Sequence, residues 1–243
     1  MKSIQWIGWM GLMICIGSMI WMTSCSINTD PYFFQKELEP FDTVALKAVF
    51  NVRLQQGDHY AIEISGAQEI AESVSFNIDR KTLNIENDNG PLWKHPSLEP
   101  PEITITFVRL GRVDAKETCD ISSVNTITLD TFGLTLGSKL NFANLKLDTH
   151  LFYYWNSSPV GGMLTLSGHS DYIRLFNGSL LGIDASQLMT HDALVSNGSK
   201  SDIHVFVDQR LYYNISNTGN IYLNGNPGDI EVGLITSTGK LIQ

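Results

Sequence analysis

The sequence predicts an all-β fold, a stacked parallel β-solenoid, from three observations. Short segments with the two-residue apolar alternation of strands follow one another, at 103–107, 127–129, 134–136, 145–147, 164–166, 203–207 and 221–223. The turns at 167–173, 196–203, 216–221 and 237–241 share one chemistry, running through Ser, Gly, Asn, Thr, Lys and Asp to a closing apolar residue. Those closing residues stand 30, 18 and 20 positions apart, so the repeat is near twenty. A unit that short cannot bury its own apolar face. Neighbouring coils bury it for one another, with Gly and Asn supplying positive φ at tight corners. A β-sandwich, which also has many short strands at regular spacing, is the alternative.

The N-terminus is of another kind. Met1-Lys2-Ser3 precedes a nearly unbroken apolar run over 4–22, closed by Thr23, Ser24 and Cys25. One basic residue, an apolar stretch and a small-residue exit form the layout of a secretory signal. A cysteine after small residues resembles a bacterial lipobox, with Met22 where leucine is usual. The expectation is a lipoprotein signal over 1–24, acylation of Cys25 and a lipidated tether over 25–40. An uncleaved anchor is the competing reading, since the run approaches the length that spans a bilayer. Of the three cysteines, Cys15 leaves with the signal and Cys25 carries lipid. Cys119 then has no disulfide partner and is expected as a small buried apolar side chain.

From Phe41 the chain turns strand-like. Val44, Leu46, Ala48 and Phe50 alternate with other residues, Val52 and Leu54 continue to the turn Gln56-Gly57-Asp58, and Tyr60, Ile62 and Ile64 form another strand. Ser65-Gly66-Ala67-Gln68 has the form of a capping box, with Ile70 and Val74 at helical spacing, so one short helix is expected. Phe76 and Ile78 with Leu83 and Ile85 predict a hairpin around Asp79-Arg80-Lys81. Four of the eight prolines fall in 87–101, which excludes a central strand and marks a long loop. That loop is a candidate divide between two subregions of one domain spanning 41–243.

Composition and motifs narrow the chemistry. The net charge is −9, and removing 1–24, whose one charged side chain is Lys2, makes it −10. An acidic chain without a Lys/Arg cluster is not expected to bind nucleic acid, and its membrane partner would be reached through the lipid anchor alone. No two of the six histidines are closer than 13 positions, so no zinc spacing occurs and neither metal nor cofactor is expected. No catalytic residues are assigned either. The nearest set for a polysaccharide lyase is Asp114 with Arg109, Arg112 and Lys116, which reads more simply as a charged turn.

The run Phe152-Tyr153-Tyr154-Trp155 stands out, because a strand cannot turn four successive rings toward one core. With Phe152 and Tyr154 inward, Tyr153 and Trp155 form an outward pair suited to stacking on a ligand. Coverage of those rings by the 87–101 loop, with Trp93 alongside, is the competing expectation.

Phe41-Asp-Thr-Val-Ala-Leu, Phe50-Asn-Val-Arg-Leu-Gln-Gln-Gly57, Lys81-Thr-Leu-Asn-Ile85 and Gly219-Asn-Ile-Tyr-Leu-Asn-Gly-Asn-Pro227 together resemble the bacterial auto-transporter adhesin head, or GIN, domain family. The chain departs from its Gly-Ser-Gly repeats, with Asn197-Gly198-Ser199, Thr218-Gly219-Asn220 and Thr238-Gly239-Lys240 instead. The resemblance implies a right-handed, pectin-lyase-like β-solenoid, an exported location and an adhesive role. The resulting expectation is a non-enzymatic envelope lipoprotein, outer-membrane anchored, that binds a glycan or protein. A carbohydrate-active enzyme and a structural component of an envelope complex are the alternatives.

Overall fold

The computed structural model describes residues 30–88, 97–137, 139–156 and 159–243. The strands are β1 (Pro31–Glu37), β2 (Thr43–Leu46), β3 (Phe50–Gln56), β4 (Ala61–Ala67), β5 (Val74–Asp79), β6 (Thr82–Asn87), β7 (Glu102–Phe107), β8 (Arg112–Ala115) and β9 (Cys119–Ser123). They continue as β10 (Ile127–Leu136), β11 (Lys139–Trp155), β12 (Val160–Asn177), β13 (Gly182–Asn197), β14 (Ile203–Phe206), β15 (Arg210–Ile215), β16 (Ile221–Asn224), β17 (Asp229–Ile235) and β18 (Leu241–Ile242). Together they make a curled sheet, a β-solenoid of about six turns.

Stacking in register is what closes the core. On one face Val44, Val113, Leu134, Tyr154, Leu175, Val195 and Tyr213 lie one above the other. From Val113 on, successive members are 18 to 21 residues apart, the repeat that the sequence suggested. On a second face Val52, Ile121, Ala143, Leu164, Ile183, Ile203 and Ile221 form the matching file. Both files are buried. Each such aliphatic side chain contributes about 1.5–3 kcal/mol when withdrawn from water, so the coils hold one another together.

The first coil in chain order is not at the end of the stack. The coil of β2 and β3 lies between that of β6 and β7 and that of β8 and β9. The 87–101 loop therefore joins two strands of one coil, and a single buried cluster runs past it from Phe41 to Leu223. Antiparallel pairing of β1 with β4, β4 with β7 and β5 with β6 covers that end. Phe34 on β1 meets Phe76 on β5 with ring centroids 6.0 Å apart, bridging the two sheet edges.

The tether expected over 25–40 is corrected in its described part, because residues 31–37 form β1 of this cap. Tyr32 and Phe34 alternate over too few residues to signal a strand, yet they pair with β4 and pack against the core. The expected capping box is also absent. Ser65 lies within β4 and pairs in its ladders, and α1 (Gln68–Ala71) is a single turn behind Ala67 with no side-chain cap, anchored by buried Ile70 and Ala71. The hairpin around Asp79-Arg80-Lys81 forms as expected, with Arg80 and Lys81 at φ 45° and 62°. Segment 167–173 is not a turn but lies within β12, whose ladder continues through a bend at Gly168, φ +102°.

Bends of this kind decide which side chains face out. In β11 the buried residues are Asn141, Ala143, Leu145, Leu147 and Thr149, then Phe152 and Tyr154, so the inward phase shifts at His150-Leu151. Equivalent slips occur at Asp171-Tyr172 and His191-Asp192 one and two coils later. Another corner is lined by asparagines: Asn156 Nδ2 donates to Asn177 Oδ1 (3.1 Å), and Asn177 Nδ2 donates to the Leu181 carbonyl (2.7 Å). Asn197 repeats the arrangement, donating to the Ser201 carbonyl while its Oδ1 accepts from the Ser199 amide. Buried Cys119 sits against the Ala48 carbonyl, and burial pushes its thiol pKa up to about 12.

Candidate binding face on the solenoid wall

The first face turns every second side chain outward, so its outer surface follows from the register. Gly133, Tyr153, Arg174, Leu194 and Tyr212 form one outward file, and Thr135, Trp155, Phe176, Ser196 and Asn214 the next. Strands in adjacent coils are about 4.8 Å apart, so rings at matched positions lie side by side. Trp155 is 52% exposed and its ladder partner Phe176 38%. Leu151, Tyr153, Trp155, Arg174 and Phe176 line one shallow, largely apolar depression.

Glycine sets the orientation of one ring. Tyr153 lies across Gly133, where even a β-carbon would come within 2.4 Å of ring atom Cε2. The Arg112 guanidinium, which pairs with Asp114 at 2.8 Å, is also within reach of the Tyr153 hydroxyl. Arg174 stands with its guanidinium 5.1 Å from the centroid of Tyr172, a cation held against an aromatic ring beside the depression. The surface thus offers planar apolar area with cations at its rim.

Phe152 and Tyr154 are buried, while Tyr153 and Trp155 face outward. Tyr154 is accommodated in the core because its hydroxyl accepts a hydrogen bond from Asn156 Nδ2 at 2.9 Å, and burial raises its pKa. Arg174 and Phe176 escaped sequence reading, although they stand 21 residues after Tyr153 and Trp155, one coil on. Of the cations around Asp114, Arg112 forms the ion pair, whereas the Arg109 backbone engages the Tyr60 hydroxyl. Cys25, the 4–22 run and Trp93 lie outside the described residues, among which no helix is long and apolar enough to cross a membrane.

A second constellation occupies the corner next to this face. His150 Nδ1 and Asp171 Oδ2 are 2.9 Å apart, and His191 Nδ1 and Asp208 Oδ1 are 2.8 Å apart. His169 reaches Asp148 with Nδ1 and Asp171 with Nε2, each at 3.6 Å. The hydrogen bond to Asp171 raises the His150 pKa, the one to Asp208 raises that of His191, and Asp171 is held low by its bond to His150.

Known proteins share this architecture. A structure from Bacteroides fragilis described as a "putative adhesin" aligns with a TM-score of 0.77 at 16% identity, covering 88% of this chain and 97% of that one. Another "putative adhesin", from Parabacteroides distasonis, aligns with a TM-score of 0.61 at 14% identity, covering 88% and 97%. A structure described as a "Putative lipid binding protein", also from Parabacteroides distasonis, gives 0.61 at 13% identity, covering 89% and 98%. At such identities the likeness is one of fold. No curated protein matches the chain. The model of the family described as "Putative auto-transporter adhesin, head GIN domain" matches residues 40–227, and the chain belongs to that family.

Proposed function

We propose that this chain is an envelope-anchored adhesion module that grips a carbohydrate with the outer surface of the solenoid wall around Tyr153, Trp155, Arg174 and Phe176. The single observation carrying the reading is the exposure of Trp155 and Phe176 as ladder partners on the solenoid wall. Rings held this way lose little conformational freedom on binding, and their faces can stack on the apolar face of a sugar ring. Arg174 and Arg112 supply donors at the edge. Membership of an adhesin family supports binding over catalysis and an envelope or surface location. The signal-like N-terminus supports lipid anchoring through Cys25.

The test is a glycan array probed with the chain and with its Trp155→Ala variant. Selective binding that the substitution removes supports the reading. Binding confined to proteins or lipids, or equal binding by both forms, refutes it. Fatty-acid labelling of the wild type but not of Cys25→Ala supports the anchor, and labelling of both would exclude it.

A further inference from the structure

We infer that the solenoid corner formed by His169, Asp171 and His191 is a binding site for a divalent transition-metal ion of the zinc class. His169 and Asp171 project from β12 and His191 from the next coil, on β13. One potential ligand atom from each lies within 4.8 Å of the others. Donors bound to zinc at about 2.0–2.2 Å in a tetrahedron stand about 3.4 Å apart, so closure needs only small side-chain rotations. The His169 Nε2 to Asp171 Oδ1 distance is already 3.6 Å.

What distinguishes this trio from chance neighbours is the hydrogen-bonded partner behind His191 and behind Asp171. His191 gives Nδ1 to Asp208 at 2.8 Å, leaving Nε2 as the donor nitrogen. His169 Nδ1 faces Asp148 at 3.6 Å, an ion-pair distance beyond a hydrogen bond, while its Nε2 is turned toward Asp171. Asp171 engages His150 through Oδ2 at 2.9 Å, leaving Oδ1 on the side of His169. The carboxylate-backed imidazole of His191 and the hydrogen-bonded carboxylate of Asp171 follow the arrangement that fixes ligand orientation in metal sites and raises ligand basicity. Two imidazoles and a carboxylate suit zinc and its neighbours rather than calcium or magnesium. The partly exposed corner leaves further coordination positions open to solvent or a ligand group.

The site owes its existence to the coil repeat. His150, His169 and His191 are 19 and 22 residues apart, far from any local zinc motif but close to one turn of the solenoid. The phase slips at 171–172 and 191–192 place Asp171 and His191 on the outer side of the same corner. This inference is independent of the carbohydrate reading.

The experiment titrates the metal-free full chain in detergent with zinc by calorimetry, and with cobalt by visible absorption. One zinc per chain is expected, together with the ligand-field bands of a cobalt–imidazole site. His169→Ala and His191→Ala should each weaken binding at least tenfold, and His204→Ala, on another wall, should leave it unchanged. Absence of saturable binding overturns the inference. So does binding that survives the double His169→Ala, His191→Ala variant, provided that its circular dichroism still reports the wild-type sheet.

Discussion

Gly133 is the floor on which the Tyr153 ring rests: a β-carbon built on Gly133 would stand 2.1 Å from Tyr153 Cζ. The two residues are register partners on neighbouring coils, so the glycine removes the one side chain that would prop the ring away from the sheet. Gly133 is buried beneath the ring, as the pairing requires.

Gly133→Ala should therefore displace Tyr153 without altering it. The clash is with the far end of a side chain that can rotate, so the fold should absorb it at a cost below about 1 kcal/mol, within the range of ordinary surface changes. Ligand affinity should fall nonetheless, because Tyr153 no longer lies flat beside Trp155. Thermal melts beside binding curves make the test. A large drop in melting temperature with unchanged affinity would mean that the ring serves packing alone.

Trp155→Ala and Phe152→Ala separate recognition from stability within one strand. Trp155 is half exposed and Phe152 fully buried. Truncating a ring at a binding hot spot costs on the order of 2 kcal/mol of affinity, roughly thirtyfold, while truncating a buried Phe costs about 3–5 kcal/mol of stability. Trp155→Ala should thus bind weakly and melt normally, and Phe152→Ala should melt early. If Trp155→Ala melts as early as Phe152→Ala, the ring is structural and the wall loses its claim as a binding face.

Asn177→Leu tests the corner. It removes the donor to the Leu181 carbonyl and the acceptor for Asn156 Nδ2, although Asn156 keeps its bond to the Tyr154 hydroxyl. An orphaned buried polar group costs about 1–3 kcal/mol. Denaturant melts should show a loss of that size, and an unchanged midpoint would mean that solvent satisfies the corner.

The repeat and the strand content were legible because they depend on local pattern: the file Val195, Leu175, Tyr154, Leu134 is spaced as the turn residues suggested. The pairing of Tyr153 and Trp155 on the outer side was legible for the same reason, once Phe152 is taken as buried. Extrapolating the alternation of Leu145 and Leu147 would have buried Tyr153 instead, and it is the phase slip at His150-Leu151 that prevents this. Such slips are set by the stacking of whole coils and leave no mark in a short window. For the same reason His169 and His191 look unrelated in sequence. The cap was illegible for another reason: β1 has few buried residues of its own and exists because β4 offers it an edge.

β13 carries a bulge opposite Thr165 and Ser167, with Ala185 and Ser186 standing against a single residue of β12. Asp184 Oδ1 braces it, accepting from Ser186 Oγ at 2.6 Å and from the Ser186 amide at 3.0 Å. The Ser186 hydroxyl bond, then the amide bond, hold the Asp184 pKa below the ordinary carboxylate value against partial desolvation. A lowered folded pKa contributes stability that is fully present above the unfolded value of about 3.9 and disappears as pH falls through the folded one. Ser186→Ala deletes the larger cause and keeps the amide, so the Asp184 pKa should rise toward the ordinary value. Wild type should accordingly be more stable than Ser186→Ala at neutral pH, and the difference should shrink through the region below about pH 4 as both forms protonate Asp184. Urea melts from neutral pH down to the acid limit of folding, beside an NMR titration of the Asp184 carboxyl, provide the check. A stability difference that does not change with pH would assign the effect of Ser186 to packing in the bulge and not to its bond with the carboxylate.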